Sequence, residues 1–148
     1  MQLILDECKC TAVVCQFTVD NVITSVSYNG IPLQVSGPLN DWRKENLIQF
    51  ESCDDRRPGE LRIKGFDWNN SLHCYRGGLM LHCRAGRHSS PWHNFVSDTA
   101  HWKDENGAKP CQNDLLYGLG YQFIKMLKTE GARKIWSNRK NVTLIGKP

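Results

Sequence analysis

The sequence predicts an all-β protein, an antiparallel sandwich or barrel with at most one short helix, formed by residues 1–148 as a single domain. Three observations lead there. Several short segments place β-branched or aromatic residues at every second position, the period of a strand with one buried face. Turn-forming residues separate these segments at intervals of about ten residues. Only one stretch has the spacing of an amphipathic helix.

The first segment, "TAVVCQFTV" (11–19), alternates apolar with small or polar residues. "NVITSVSYNG" (21–30) follows and ends in Tyr-Asn-Gly, a tight-turn signal because Asn and Gly tolerate positive φ. "SGPLND" breaks the pattern before "ENLIQFES" (45–52), and "CDDRRPGE" breaks it again before "GELRIKGF" (59–66). After "YRGG" comes "GGLMLHCR" (77–84), a further strand. "NDLLYGLGYQFIKMLKTEG" (113–131) is the helical candidate. It opens on a capping Asn or Asp, puts Leu116, Leu119, Phe123, Met126 and Leu127 roughly on one face, and stops at Gly131. Its two internal glycines each cost about 1 kcal/mol relative to alanine, which leaves a strand and turn as the alternative. "ARKIW" and "KNVTLIG" close the chain as strands.

Composition narrows the class. Hydrophobic residues at 40% and charged residues at 23% are those of an ordinary globular chain, and no apolar run reaches the roughly 18 residues that span a bilayer. A soluble protein without membrane insertion is expected. The formal net charge is +4, concentrated late: Lys125, Lys128, Arg133, Lys134, Arg139, Lys140 and Lys147 stand against Glu130 alone. That excess is too small, and ribonucleoprotein-type aromatic motifs are too conspicuously missing, for nucleic acid to be the expected partner.

The cysteines are Cys8, Cys10, Cys15, Cys53, Cys74, Cys83 and Cys111, and no two form the C-x-x-C pair typical of zinc modules. Disulfides are expected, and with them a secreted protein. The sequons at Asn69 ("NNS") and Asn141 ("NVT") agree with a secreted glycoprotein. "MQLILDECKC" lacks the basic and apolar regions of a signal peptide, so export implies that Met1 replaces a removed leader. An odd cysteine count leaves one thiol either buried and unpaired or joined to another chain, which makes a covalent homodimer one outcome.

From Val19 to Trp136 the order of landmarks resembles the galactose-binding-like jelly-roll domains of secreted invertebrate and protist lectin-like proteins. The pieces are "VDNVITSVSYNG", "NDWRKENLIQF", "GELRIKGFD", "GGLMLHC", the loop with "SPWHNF" and "HWK", and "ARKIW". The resemblance implies a sandwich of about eight strands that binds carbohydrate through loops at one end. It also brings calcium into view. Asp54 and Asp55 offer two oxygens where calcium takes six to eight, however, so a solvated turn pairing with Arg56 and Arg57 is preferred and no cofactor is expected.

Sugar binding needs an apolar plate for the C–H face of a pyranose and planar polar groups for its hydroxyls. In "GRHSSPWHNFVSDTAHWK" (86–103), Trp92 and Trp102 are the candidate plates, and His93, Asn94, Asp98 and His101 the polar partners. Large aromatics in sandwiches more often pin loops over the core. Trp92 is expected to be the more exposed ring and Trp102 the loop anchor. Arg84 and Arg87, with Arg76, have guanidinium forks suited to carboxylate or sulfate and bias the expectation toward acidic or sulfated glycans. Trp42 and Trp136 read as core, and Trp68 as a second contact. No motif surrounds Cys83, His82 or the acids with the groups catalysis needs, so the chain is not expected to be an enzyme. The function expected is a non-catalytic lectin; the alternative is a disulfide-stabilised extracellular structural or matrix protein.

Overall fold

The computed structural model describes residues 10–53, 59–68, 77–113 and 121–148. Among these residues, ten strands and one helix follow in the order β1 (Cys10–Asp20), β2 (Val22–Tyr28), β3 (Ile31–Pro32), β4 (Asn46–Cys53), β5 (Leu61–Phe66), β6 (Gly78–Ala85), β7 (Trp102–Asp104), β8 (Cys111–Gln112), α1 (Gln122–Thr129), β9 (Ile135–Trp136) and β10 (Asn141–Gly146). They form two five-stranded sheets, β4-β1-β6-β9-β8 and β3-β2-β5-β10-β7. Every pairing within them is antiparallel.

The period-two reading explains the packing. Val13, Cys15, Phe17 and Val19 of β1 point inward with Ile48 and Phe50 of β4. Leu61 and Ile63 of β5 and Val142 and Leu144 of β10 face them from the second sheet, and all belong to one buried cluster. The fold is thus an antiparallel β-sandwich whose core is the sum of the two inward faces. The "YNG" turn joins β2 to β3: Asn29 and Gly30 have φ of 52° and 81°, as a two-residue hairpin turn requires. Asn29 also accepts a hydrogen bond from the Glu60 amide at 2.8 Å through Oδ1, tying the hairpin to the start of β5.

Two disulfides join residues that stand directly opposite on neighbouring strands. Cys10–Cys53 links β1 to β4 and Cys15–Cys83 links β1 to β6. Cys111 is disulfide-bonded too. Cys8 and Cys74 lie outside the described residues, as do Asp54 to Arg57, the sequon at Asn69, Arg76, and Leu116 and Leu119 of the helical candidate.

Of the helical pattern, residues 113 and 121–131 are described, and α1 lies within them. Gln122–Thr129 is helical, and its end is where Gly131 predicts it: with φ of 101°, Gly131 lets its own amide donate to Lys128 O and the Ala132 amide donate to Leu127 O, both at 3.0 Å. The buried residues are Ile124 and Leu127, so the face is rotated from the one expected. They pack with Met80 and Ala132, and Trp42, Val96, Phe123 and Met126 flank this second cluster. Met80 belongs to the outward face of β6. Because α1 covers that face, the strand is buried on both sides and loses the alternation of its neighbours.

Candidate functional site

The loop after β6 is the first place to look for the expected plates, and it does not supply them. Trp92 is 0% exposed and Trp102 1% exposed, which corrects both the reading of these rings as sugar contacts and the expectation that Trp92 is the more exposed. The cause lies in how the loop returns. The Cys83 amide donates to Phe95 O, the Asn94 amide to Cys83 O and the Ser97 amide to Leu81 O, so residues 94–97 run back alongside β6. This return drives Trp92 into the end of the core, where its ring meets Phe95, Phe50 and Tyr28 with centroids at 4.8, 5.1 and 5.8 Å. Trp102 donates its indole N–H to Val96 O at 3.0 Å and lies so close to Gly146 that a Cβ there would stand 2.5 Å from its ring.

The polar residues of the loop hold turns and then divide between two places. His93 accepts from the Ala85 amide through Nδ1 at 3.2 Å and stacks on His88, centroids 4.4 Å apart. Asp98 accepts from the backbone amides of Ala100 and His101 and holds the His101 ring at 3.0 Å, a closed local motif. The Arg87 amide donates to Thr11 Oγ1 at 2.9 Å, anchoring the loop to β1. Asn94, in the left-handed region with φ of 62°, places Oδ1 3.1 Å from Nε2 of the buried His82, which fits a proton on that nitrogen.

Around His82 a second set of groups gathers on the outward face of the first sheet. Its Nε2 is 3.7 Å from Glu130 Oε2, and Glu130 Oε1 accepts from Arg84 Nη2 at 3.1 Å. Arg84 and His82 therefore converge from β6 on Glu130, the residue that caps α1, while Asn94 of the returning loop meets His82. Beside them runs a groove of about 390 Å³ lined by Val14, Gln16, Glu45, Leu47, Arg84 and Met126. Strand register sets this lining: Val14 stands opposite Arg84, Gln16 opposite Leu47, and Met126 of α1 forms a wall. Gln16 donates its side-chain amide to Glu45.

Near the start of the helix stands an aromatic shelf. Trp42, half-buried against the cluster that Met126 also flanks, meets Tyr121 edge to face at 5.2 Å. The Arg43 guanidinium lies 6.0 Å from the Tyr121 ring centre. Asp41 accepts from Arg43 Nε at 2.9 Å; this hydrogen bond holds the Asp41 carboxyl below its usual range and the guanidinium above its own.

The lining of the groove offers two kinds of contact. An apolar floor beside a carboxamide, a carboxylate and a guanidinium can pack a C–H face while exchanging hydrogen bonds with hydroxyls. Among the described residues no group of three or more His, Cys, Asp or Glu side chains could hold a metal ion, and no helix is long and apolar enough to cross a membrane. The chain matches no protein-family model, and no curated protein or solved structure is significantly similar to it. The groove alone therefore carries the functional reading. Nothing in the sequence marks Gln16, Glu45, Glu130 or Tyr121 for this site, because a polar or aromatic residue on a strand face or at the end of an element looks the same whether or not a groove lies beside it.

Proposed function

We propose that the protein is a non-catalytic, carbohydrate-binding lectin that holds galactose-type or acidic glycans in the groove on the outward face of β4, β1 and β6. One observation carries this reading: Gln16, Glu45 and Arg84 surround the apolar patch of Val14, Leu47 and Met126 in an open cleft about the size of one or two sugar rings. The sandwich supports it by analogy with galactose-binding-like jelly rolls, although a shared architecture does not fix a function. Two disulfides are compatible with an extracellular protein, and secretion with glycosylation at Asn141 belongs to the same proposal.

The test is a glycan array probed with the wild type and with Gln16→Ala and Arg84→Ala, neither of which touches the core. Saturable binding that both variants weaken and that persists in a chelator is expected. Binding to no glycan at any concentration would sink the lectin reading and leave the structural or matrix protein, for which a covalent dimer on a non-reducing gel is the corresponding sign.

A further inference from the structure

We infer that the outward face of the second sheet is a separate binding track for a sulfated polysaccharide, running from Trp68 along β5 to Lys103 and Lys147. The proposal does not rest on the groove, which lies on the other sheet.

Register places the cations on one face. Ile145 of β10 stands opposite Arg62 of β5 on one side and Lys103 of β7 on the other. Neighbouring strands are about 4.8 Å apart, so those two cations sit roughly 10 Å from each other across the isoleucine. Lys64 is the next outward residue of β5 and Lys147 the next outward residue beyond Ile145; both are exposed, as are Arg62 and Lys103. Lys103, Ile145 and Lys147 line an open cleft of about 450 Å³ together with Glu60, Asp104 and Glu105, and Asp104 is turned inward, buried and bonded to Ser137 and Arg139.

Among the described residues, Glu60 and Glu105 on this side already have partners. Glu60 pairs with Arg62 at 3.0 Å. Glu105 pairs with Arg139 at 2.6 Å and accepts from the Thr143 amide. Lys64, Lys103 and Lys147 make no ion pair among the described residues. Three uncompensated ammonium groups on a flat face, closer together than a few Debye lengths, are matched by a chain of fixed anions.

The other end of the track identifies the chain as a sugar. Trp68 is 65% exposed, the most exposed of the tryptophans. Its amide donates to Asn21 Oδ1 at 2.7 Å, and its ring rests edge to face on Phe66 at 4.8 Å, so the indole is held outward on the same face as Lys64. One fixed plate followed by point charges over roughly 25 Å suits a saccharide stacked at one end with sulfates along its length. A nucleic-acid strand asks for successive stacking rings, and among the described residues Trp68 is the exposed ring at this end of the track.

The experiment uses full-length protein made without N-glycans, since Asn141 stands opposite Phe66 on this face. Retention on immobilised heparin is measured against salt for the wild type, for Lys64→Gln/Lys103→Gln/Lys147→Gln, for Trp68→Ala, and for Lys44→Gln/Lys125→Gln/Arg133→Gln, which removes the same charge elsewhere. The track variant should bind on the order of tenfold more weakly and with a shallower salt dependence. Trp68→Ala should weaken binding at unchanged charge, while the control stays near the wild type. Equal losses in the two triple variants, or no retention of the wild type, would overturn the proposal. So would a single-stranded oligonucleotide or phosphatidylserine vesicles binding as tightly as heparin and independently of Trp68.

Discussion

Arg84 and Glu130 tie the outward face of β6 to the end of α1 through an ion pair of 3.1 Å. The arginine is 59% exposed, so the pair itself is worth no more than about 1 kcal/mol, and its consequence is positional: it holds the guanidinium at the lip of the groove. Glu130→Gln is expected to shift stability by less than about 1 kcal/mol in a denaturant melt. The freed guanidinium should at the same time raise affinity for carboxylated or sulfated sugars over neutral ones in direct titrations. A matching rise for neutral sugars would argue against Arg84 as the acid-reading group.

Trp92 is a core residue, and its substitution tests the core. Trp92→Ala should cost about 3–5 kcal/mol, because the hole it leaves is walled by Phe50 and Phe95, which cannot collapse into it. Trp92→Phe should cost markedly less. It keeps a ring in place and removes an indole N–H that is buried without a hydrogen-bond partner among the described residues. Chemical unfolding of the two variants, compared at one temperature, decides this; equal costs would mean that the indole N–H is satisfied.

Asp104 makes stability depend on acid. Burial pushes its carboxyl up, but the amides of Ala108 and Asn106, the Ser137 hydroxyl and the Arg139 guanidinium together outweigh this and hold it below its usual range. A carboxyl depressed in the folded state stabilises above the unfolded value of about 3.9 and loses that contribution as pH falls through its folded value. For this group the melting temperature should be level from neutral to about pH 5 and drop below about pH 4. Asp104→Asn should lower stability at neutral pH by about 2 kcal/mol and flatten the acid limb. A mutant curve parallel to the wild type throughout would contradict this assignment.

The two strand-to-strand disulfides should differ in accessibility. Cys10 and Cys53 are exposed, whereas Cys15 and Cys83 are fully buried between the sheets. Exchange requires a thiolate to reach a sulfur, so a mild reductant acting on folded protein should open Cys10–Cys53 well before Cys15–Cys83. Alkylation followed by peptide mass spectrometry reports the order. Replacing Cys15 and Cys83 together by alanine should cost about 4 kcal/mol, given the 68 residues separating them.

The strands could be read from the sequence because each is a local statement. Alternation in "TAVVCQFTV" or "NVTLIG" names the inward residues once a core is assumed, and Asn29–Gly30 and Gly131 mark their turns through φ alone. The helix was half visible, since "QFIKMLKT" has the right period, but its buried face depends on where Met80 lies. The site was hardly visible. Aromatic residues are its most conspicuous sequence signal, and burial of a ring is decided by whatever packs over it.

Fold class, antiparallel strands and the expectation of disulfides follow from short-range period, turn chemistry and cysteine spacing. That Trp92 and Trp102 are interior, that Arg84 meets Glu130, and that Val14, Gln16 and Leu47 share a groove comes from packing alone. The difference is one of range. Strand order and loop return bring together residues dozens of positions apart, and no local pattern encodes which outward faces they leave open.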